Sequence, residues 1–199
     1  MLSIKRFKTA IASICILTLV GCGSTEKDSV GNKYFYEEAS AEHTYTVEKF
    51  FFEDVDDITV KSELLASYEG GNVYSVDIQY EDIQERYFDT ADRYDIGTFY
   101  VTKDNIYLLN HVEGVPSEED FLSNGIIVCS DNGSEQNPTD YEVKIEINED
   151  NHKCSFWNPL VETGYYCNMI WTKDKGLTYF RSGFGAERDP IEISLKEKD

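Results

Sequence analysis

The chain has 199 residues, of which 41% are hydrophobic and 28% charged. That supports one domain or two small ones, and is too apolar for wholesale disorder. Thirty-eight acids against 18 bases give a formal charge of −20, which excludes nucleic acid as a partner, because phosphate binding needs a basic face. Fourteen Tyr and 11 Phe, against four Pro and two Met, favour strands over helices.

The first element is an address. Lys5, Arg6 and Lys8 form a basic start, and Ile11 to Val20 is apolar apart from Ser13 and Thr18. About ten apolar residues are too few to span a bilayer, which takes roughly 20, and suit a secretory signal. The run stops at Leu19-Val20-Gly21-Cys22, which resembles the bacterial lipoprotein box. That resemblance implies a diacylglycerol on the thiol of Cys22, cleavage just before it, and a place on the extracytoplasmic face of the cell membrane. Residues 1–21 are then the signal, 22–33 a flexible tether and 34–199 a single β-rich domain. Loss of Lys5, Arg6 and Lys8 leaves 15 bases against 38 acids, a charge of −23. The polar stretch from Gly23 to Lys33 has a root-mean-square reach of roughly 18 Å. An acidic body is repelled by anionic headgroups, so contact with the membrane is expected through the lipid alone.

Beyond the tether, period-two alternation predicts strands with one dry and one wet face. Tyr74, Val76, Ile78 and Tyr80 make one dry face. Residues 82–95 are open between helix and strand. Thr102-Lys-Asp-Asn105 predicts a tight hairpin between Phe99–Val101 and Ile106–Leu109. Ser117-Glu-Glu-Asp120 reads as a capping box with Asp in the last place, followed by one or two helical turns before Gly125. Ser130 to Asp140 is the longest polar break and is a candidate divide between an N-terminal sheet and a C-terminal one. Tyr141, Val143, Ile145 and Ile147 alternate next. Thr172 to Gly176 predicts a hairpin between Tyr165–Trp171 and Leu177–Phe180, and Ile191, Ile193 and Leu195 close the chain. Eleven or twelve strands between Thr44 and Leu195 make the expected fold all-β. The expectation is a single antiparallel meander forming a barrel or a sandwich, with at most one or two short helices.

Candidate chemistry is sparse. Cys129, Cys154 and Cys167 remain once Cys15 and Cys22 are set aside. Cys154 and Cys167 flank the hairpin loop Trp157–Gly164 and are expected to face each other as a disulfide, against the alternative of three buried thiols. Zinc held by Cys129, His152, Cys154 and Cys167 is disfavoured by the lack of a C-x-x-C pair. His43, His111 and His152 are the only imidazoles. The acidic clusters at 53–57, 89–95 and 131–135 do not match the calcium-loop pattern and read as solvated surface. No cofactor is expected.

The most distinctive stretch is Tyr179 to Pro190. Ser182, Gly183 and Gly185 let backbone approach a partner closely. Phe184, flanked by Arg181 and Arg188, suits an interface anchor. Residues 153–199 carry seven bases and seven acids, so the acidity resides in the earlier part of the chain. Three functions compete: a non-catalytic tethered binding protein, an inhibitor or immunity factor against a cationic enzyme, and a hydrolase using paired carboxylates. For the second, the small, acidic, strand-rich, lipid-anchored chain is similar to membrane-bound lysozyme inhibitors, and electrostatic steering would speed association with a basic protein.

Overall fold

The computed structural model describes residues 31–38, 40–49, 55–79, 93–110, 112–185 and 191–197. Eleven strands form one antiparallel sheet that curls into a nearly closed barrel. They are β1 (Ala41–Lys49), β2 (Asp57–Ser67), β3 (Gly71–Gln79), β4 (Arg93–Thr102), β5 (Asn105–Leu109), β6 (Ile126–Ser130), β7 (Glu142–Ile147), β8 (Asn151–Trp157), β9 (Tyr165–Thr172), β10 (Gly176–Phe184) and β11 (Ile191–Leu195). One helix, α1 (Glu118–Asn124), lies between β5 and β6. The fold is all-β as expected, and of the two forms left open, barrel and sandwich, it takes the barrel. The undecided stretch 82–95 ends in strand, since β4 starts at Arg93; residues 82–92 lie outside the described ones.

Alternation decides which side chains fill the barrel. Tyr74, Val76 and Ile78 of β3, Cys154 and Phe156 of β8, Met169 and Trp171 of β9, and Ile191 and Ile193 of β11 are all buried in one core. On the outer face Tyr100, Tyr107, Val73 and Ile127 form a second, smaller core, sealed by Phe121 of α1. The capping box explains why α1 starts where it does. The Asp120 amide donates to Ser117 Oγ, and the Ser117 amide donates to the Asp120 carboxylate at 2.9 Å. The Tyr100 hydroxyl donates to Glu118, which fastens the helix to the sheet.

Both expected tight hairpins form. β4 and β5 turn at Lys103-Asp104, and β9 and β10 turn at Lys173–Lys175. In the second, Asp174 has φ +61° and Gly176 has φ +82°, values that Asp tolerates and Gly prefers.

Around the barrel the strands follow chain order, and β1 closes onto β11. An unbroken meander of eleven strands would bring β1 and β11 together parallel; they pair antiparallel. The reversal is absorbed between β6 and β7, which run in the same direction without pairing. The break at 131–141 must therefore travel back along the whole barrel beside the β6 edge. Gln136 lies on that path. Its carboxamide accepts from the Ile127 amide at 2.9 Å and donates to the Ile127 carbonyl at 2.7 Å, as a neighbouring strand would. The sheet edge is thereby closed at Ile127. Inside the barrel, Cys129 of β6 meets His152 of β8 across the same seam, Sγ to Nδ1 3.1 Å.

One end of the barrel is plugged by Asn32 to Tyr36. Tyr34, Phe35 and Tyr36 are buried, with Phe35 packed on Tyr74 and Trp171 and Tyr34 on His152. Asn32 donates to the Thr102 carbonyl at 2.9 Å, and the Asp174 amide donates to the Lys33 carbonyl at 2.7 Å. Lys33 also pairs with Asp131 at 3.0 Å. The last residues of the expected tether are thus already part of the folded body.

Candidate functional site

β10 carries the stretch singled out above, and alternation splits it between two faces. Ser182 points with Phe180 into the core and is fully buried. Arg181 lies outside, its guanidinium 5.7 Å from the centre of the Tyr166 ring, with Nε 3.6 Å from Glu192. That spacing is an ion pair too long for a hydrogen bond. The same carboxylate accepts from the Tyr179 hydroxyl at 2.7 Å. Burial, then this carboxylate, pushes the Tyr179 phenol up to about 12. Gly183 is buried opposite Tyr166. Phe184 is 48% exposed, pairs across the strands with Tyr165, and meets its ring edge-on at 5.6 Å. Arg188 and Cys22 lie outside the described residues. The structure therefore does not gather Arg181 to Gly185 into one surface.

What it gathers instead is the end of β10 with the β8–β9 hairpin. Asn158 shapes that loop: its side chain accepts from the Leu160 amide at 3.0 Å, and its amide donates to the Tyr165 carbonyl at 3.0 Å. The Gly185 amide donates to the Gly164 carbonyl at 3.1 Å. A Cβ at Gly185 would sit 2.4 Å from the Glu162 carbonyl oxygen, so glycine is what lets the loop lean on β10. Between the loop and the outer face of the sheet lies a cleft of about 530 Å³. Trp157 and Tyr166, cross-strand partners, are two of its lining side chains. Leu160, Val161, Glu162 and Glu142 also line it. Of the eight large apolar side chains exposed among the described residues, Trp157, Leu160, Val161 and Phe184 all belong to this end. Sequence reading missed the cleft. Its signal was present in Leu160 and Val161, two apolar residues in a loop with no core to enter.

The other candidate residues form no site. The disulfide expected between Cys154 and Cys167 is absent, and Cys129, Cys154 and Cys167 are free and buried. Register is the reason: Cys154 faces Met169 and Cys167 faces Phe156, a diagonal offset too long for a disulfide. Burial pushes the Cys154 thiol up to about 12 and the other two well above their ordinary values. These are therefore thiols, without nucleophilic character. Among the described residues no three His, Cys, Asp or Glu converge to hold a metal. At the plugged end, a cleft of about 370 Å³ is lined by Asn32, Lys33, Glu37 and Asp174, which are mainly the contacts of the plug itself.

No protein-family model, curated protein or solved structure matches this chain.

Proposed function

We propose that the protein is a lipid-anchored extracytoplasmic bacterial lipoprotein, held to the cell membrane by lipid on Cys22, and that its β domain is a non-catalytic binding module. The observation that carries this reading is the polarity of the barrel. The last residues of the tether, Asn32 and Lys33, are fastened to the plugged end. The exposed apolar side chains of the β8–β9 hairpin stand at the other end. Tyr166 and Thr172 bracket most of β9, a separation of about 20 Å at 3.4 Å per residue. An anchor at one end and a contact surface at the other suit a tethered binder. The barrel interior is filled by its own aromatic and aliphatic side chains, which favours recognition on the outside.

A second reading, an inhibitor or immunity factor against a cationic enzyme, is favoured by the charge of −20 together with the two glutamates in the cleft. Two measurements test the proposal. Cys22→Ala should abolish uptake of labelled fatty acid and release the chain from membranes; a variant still labelled and membrane-bound overturns the anchor. Titration with lysozyme at rising salt should show binding that weakens steeply if the partner is basic, and none at any salt concentration if the second reading is wrong.

A further inference from the structure

We propose that the cleft under the β8–β9 hairpin binds a basic segment of a partner protein, taking one Arg or Lys beside Trp157 and an apolar neighbour on Leu160 and Val161. This rests on the binding-protein reading above and assigns it a site and a class of ligand.

The chemistry follows from the lining. Trp157 and Tyr166 offer aromatic faces, and a ring face attracts a cation, Trp most of all. Glu142, the cross-strand neighbour of Trp157, and Glu162, in the loop, add two carboxylates. Neither makes an ion pair with a described residue. The molecule already shows this kind of contact beside the cleft, because the Arg181 guanidinium sits over Tyr166. Arg181 is itself matched by Glu192, so the carboxylates of the cleft are left to a second cation. Leu160, 85% exposed, and Val161, 49% exposed, give the apolar part of a ligand somewhere to pack. An anionic ligand would meet two carboxylates here, and a purely apolar one would leave them desolvated and unpaired, which is costly. A segment mixing basic and apolar residues satisfies both halves. The strongly acidic body steers such a partner from a distance.

The chain contains two tryptophans. Trp171 is fully buried and Trp157 lines the cleft, so fluorescence reports the site directly. The experiment titrates the full chain, in a non-ionic detergent, with the peptide Arg-Leu-Arg-Leu-Arg and with Glu-Leu-Glu-Leu-Glu. The basic peptide should change Trp157 emission saturably, and the acidic one should not. Trp157→Phe should remove the response while Trp171 emission reports an intact fold. Glu142→Gln with Glu162→Gln should weaken binding at least tenfold. Glu113→Gln with Glu149→Gln removes equal charge elsewhere and should leave affinity within twofold. No saturable change, an equal response to the acidic peptide, or equal losses in the two double variants overturns the proposal. Lysozyme separates this from the reading beneath it. Salt-sensitive lysozyme binding that survives in the Glu142→Gln, Glu162→Gln variant moves the contact elsewhere and overturns the cleft alone. A wild-type chain that binds neither lysozyme nor the basic peptide at low salt overturns the basic partner and the cleft together.

Discussion

At the scale of single residues, the interior of the barrel decides the state of its titratable groups. Cys129, Cys154 and Cys167 sit where a thiolate would be desolvated, so they stay protonated. Alkylation should leave all three unmodified in the native protein and modify all three after denaturation without reductant. Mass spectrometry showing one modified thiol and a 154–167 crosslink would sink this assignment. The pairing was misjudged from sequence because register across a hairpin depends on loop length. Eight residues separate Trp157 from its partner Tyr166; with six, Cys154 would have faced Cys167. His152 follows the same logic with the opposite charge. Burial holds its imidazole below the ordinary value, and Lys33 adds to this while Asp131 opposes it. Its neutral ring meets Cys129 and packs at a tilt against Tyr34. A base with a depressed folded pKa contributes stability that is present above its unfolded pKa of about 6.5 and is lost as pH falls through the window below it. Urea midpoints should fall as pH drops below about 6.5, and His152→Gln should flatten that part of the profile. A flat wild-type profile there would contradict the buried neutral ring.

Elements were legible where they are local. The hairpins at 102–105 and 172–176, and the capping box at Ser117, are set by a few consecutive residues whose turn chemistry acts at short range. Alternation likewise placed Tyr74, Val76 and Ile78 on one buried face. It fared less well in β7, where Val143 and Ile145 are only partly buried and Ile147 is half-exposed, because β7 borders the seam and has a pairing neighbour on one side only. The stretch 131–141 was legible as a break but not as a return path within one sheet. Its task depends on how two distant halves of the sheet meet, and nothing local marks Gln136 as a stand-in for a strand. The same holds for the cleft, since Glu142, Trp157 and Gly185 become neighbours only through the sheet. Gln136 gives this seam a direct test. Gln136→Ala leaves the amide and carbonyl of Ile127 without their partner on a residue that is buried. An unsatisfied buried polar group costs roughly 1–3 kcal/mol. The variant should lose about 2 kcal/mol in a urea melt and show faster hydrogen exchange at the Ile127 amide. Unchanged exchange would mean that the carboxamide does not close the edge.

For the whole molecule, the two ends of the barrel differ in what their aromatic residues do. At the plugged end, Phe35 is 3% exposed and touches Tyr36, Tyr74 and Trp171. Removing it opens a void against packed rings that have no room to collapse, and Phe→Ala in such a place costs roughly 3–5 kcal/mol. At the other end, Phe184 keeps about half its surface in water and has Tyr165 beside it. Truncation there forfeits only the buried half of the transfer free energy, about 1–2 kcal/mol, and leaves no enclosed cavity. Paired urea melts of Phe35→Ala and Phe184→Ala should therefore separate, with the first losing at least twice as much as the second. The comparison needs no partner and controls for the chemistry of the substitution, which is identical. Equal large losses would make Phe184 a core residue and the far rim part of the packing. Equal small losses would mean that Asn32 to Tyr36 can leave the barrel without cost, and that the plug is not a fixed end of the molecule. A large loss at Phe35 with a small one at Phe184 leaves a rigid end beside the tether and a half-exposed aromatic at the far rim, the arrangement that a tethered binder requires.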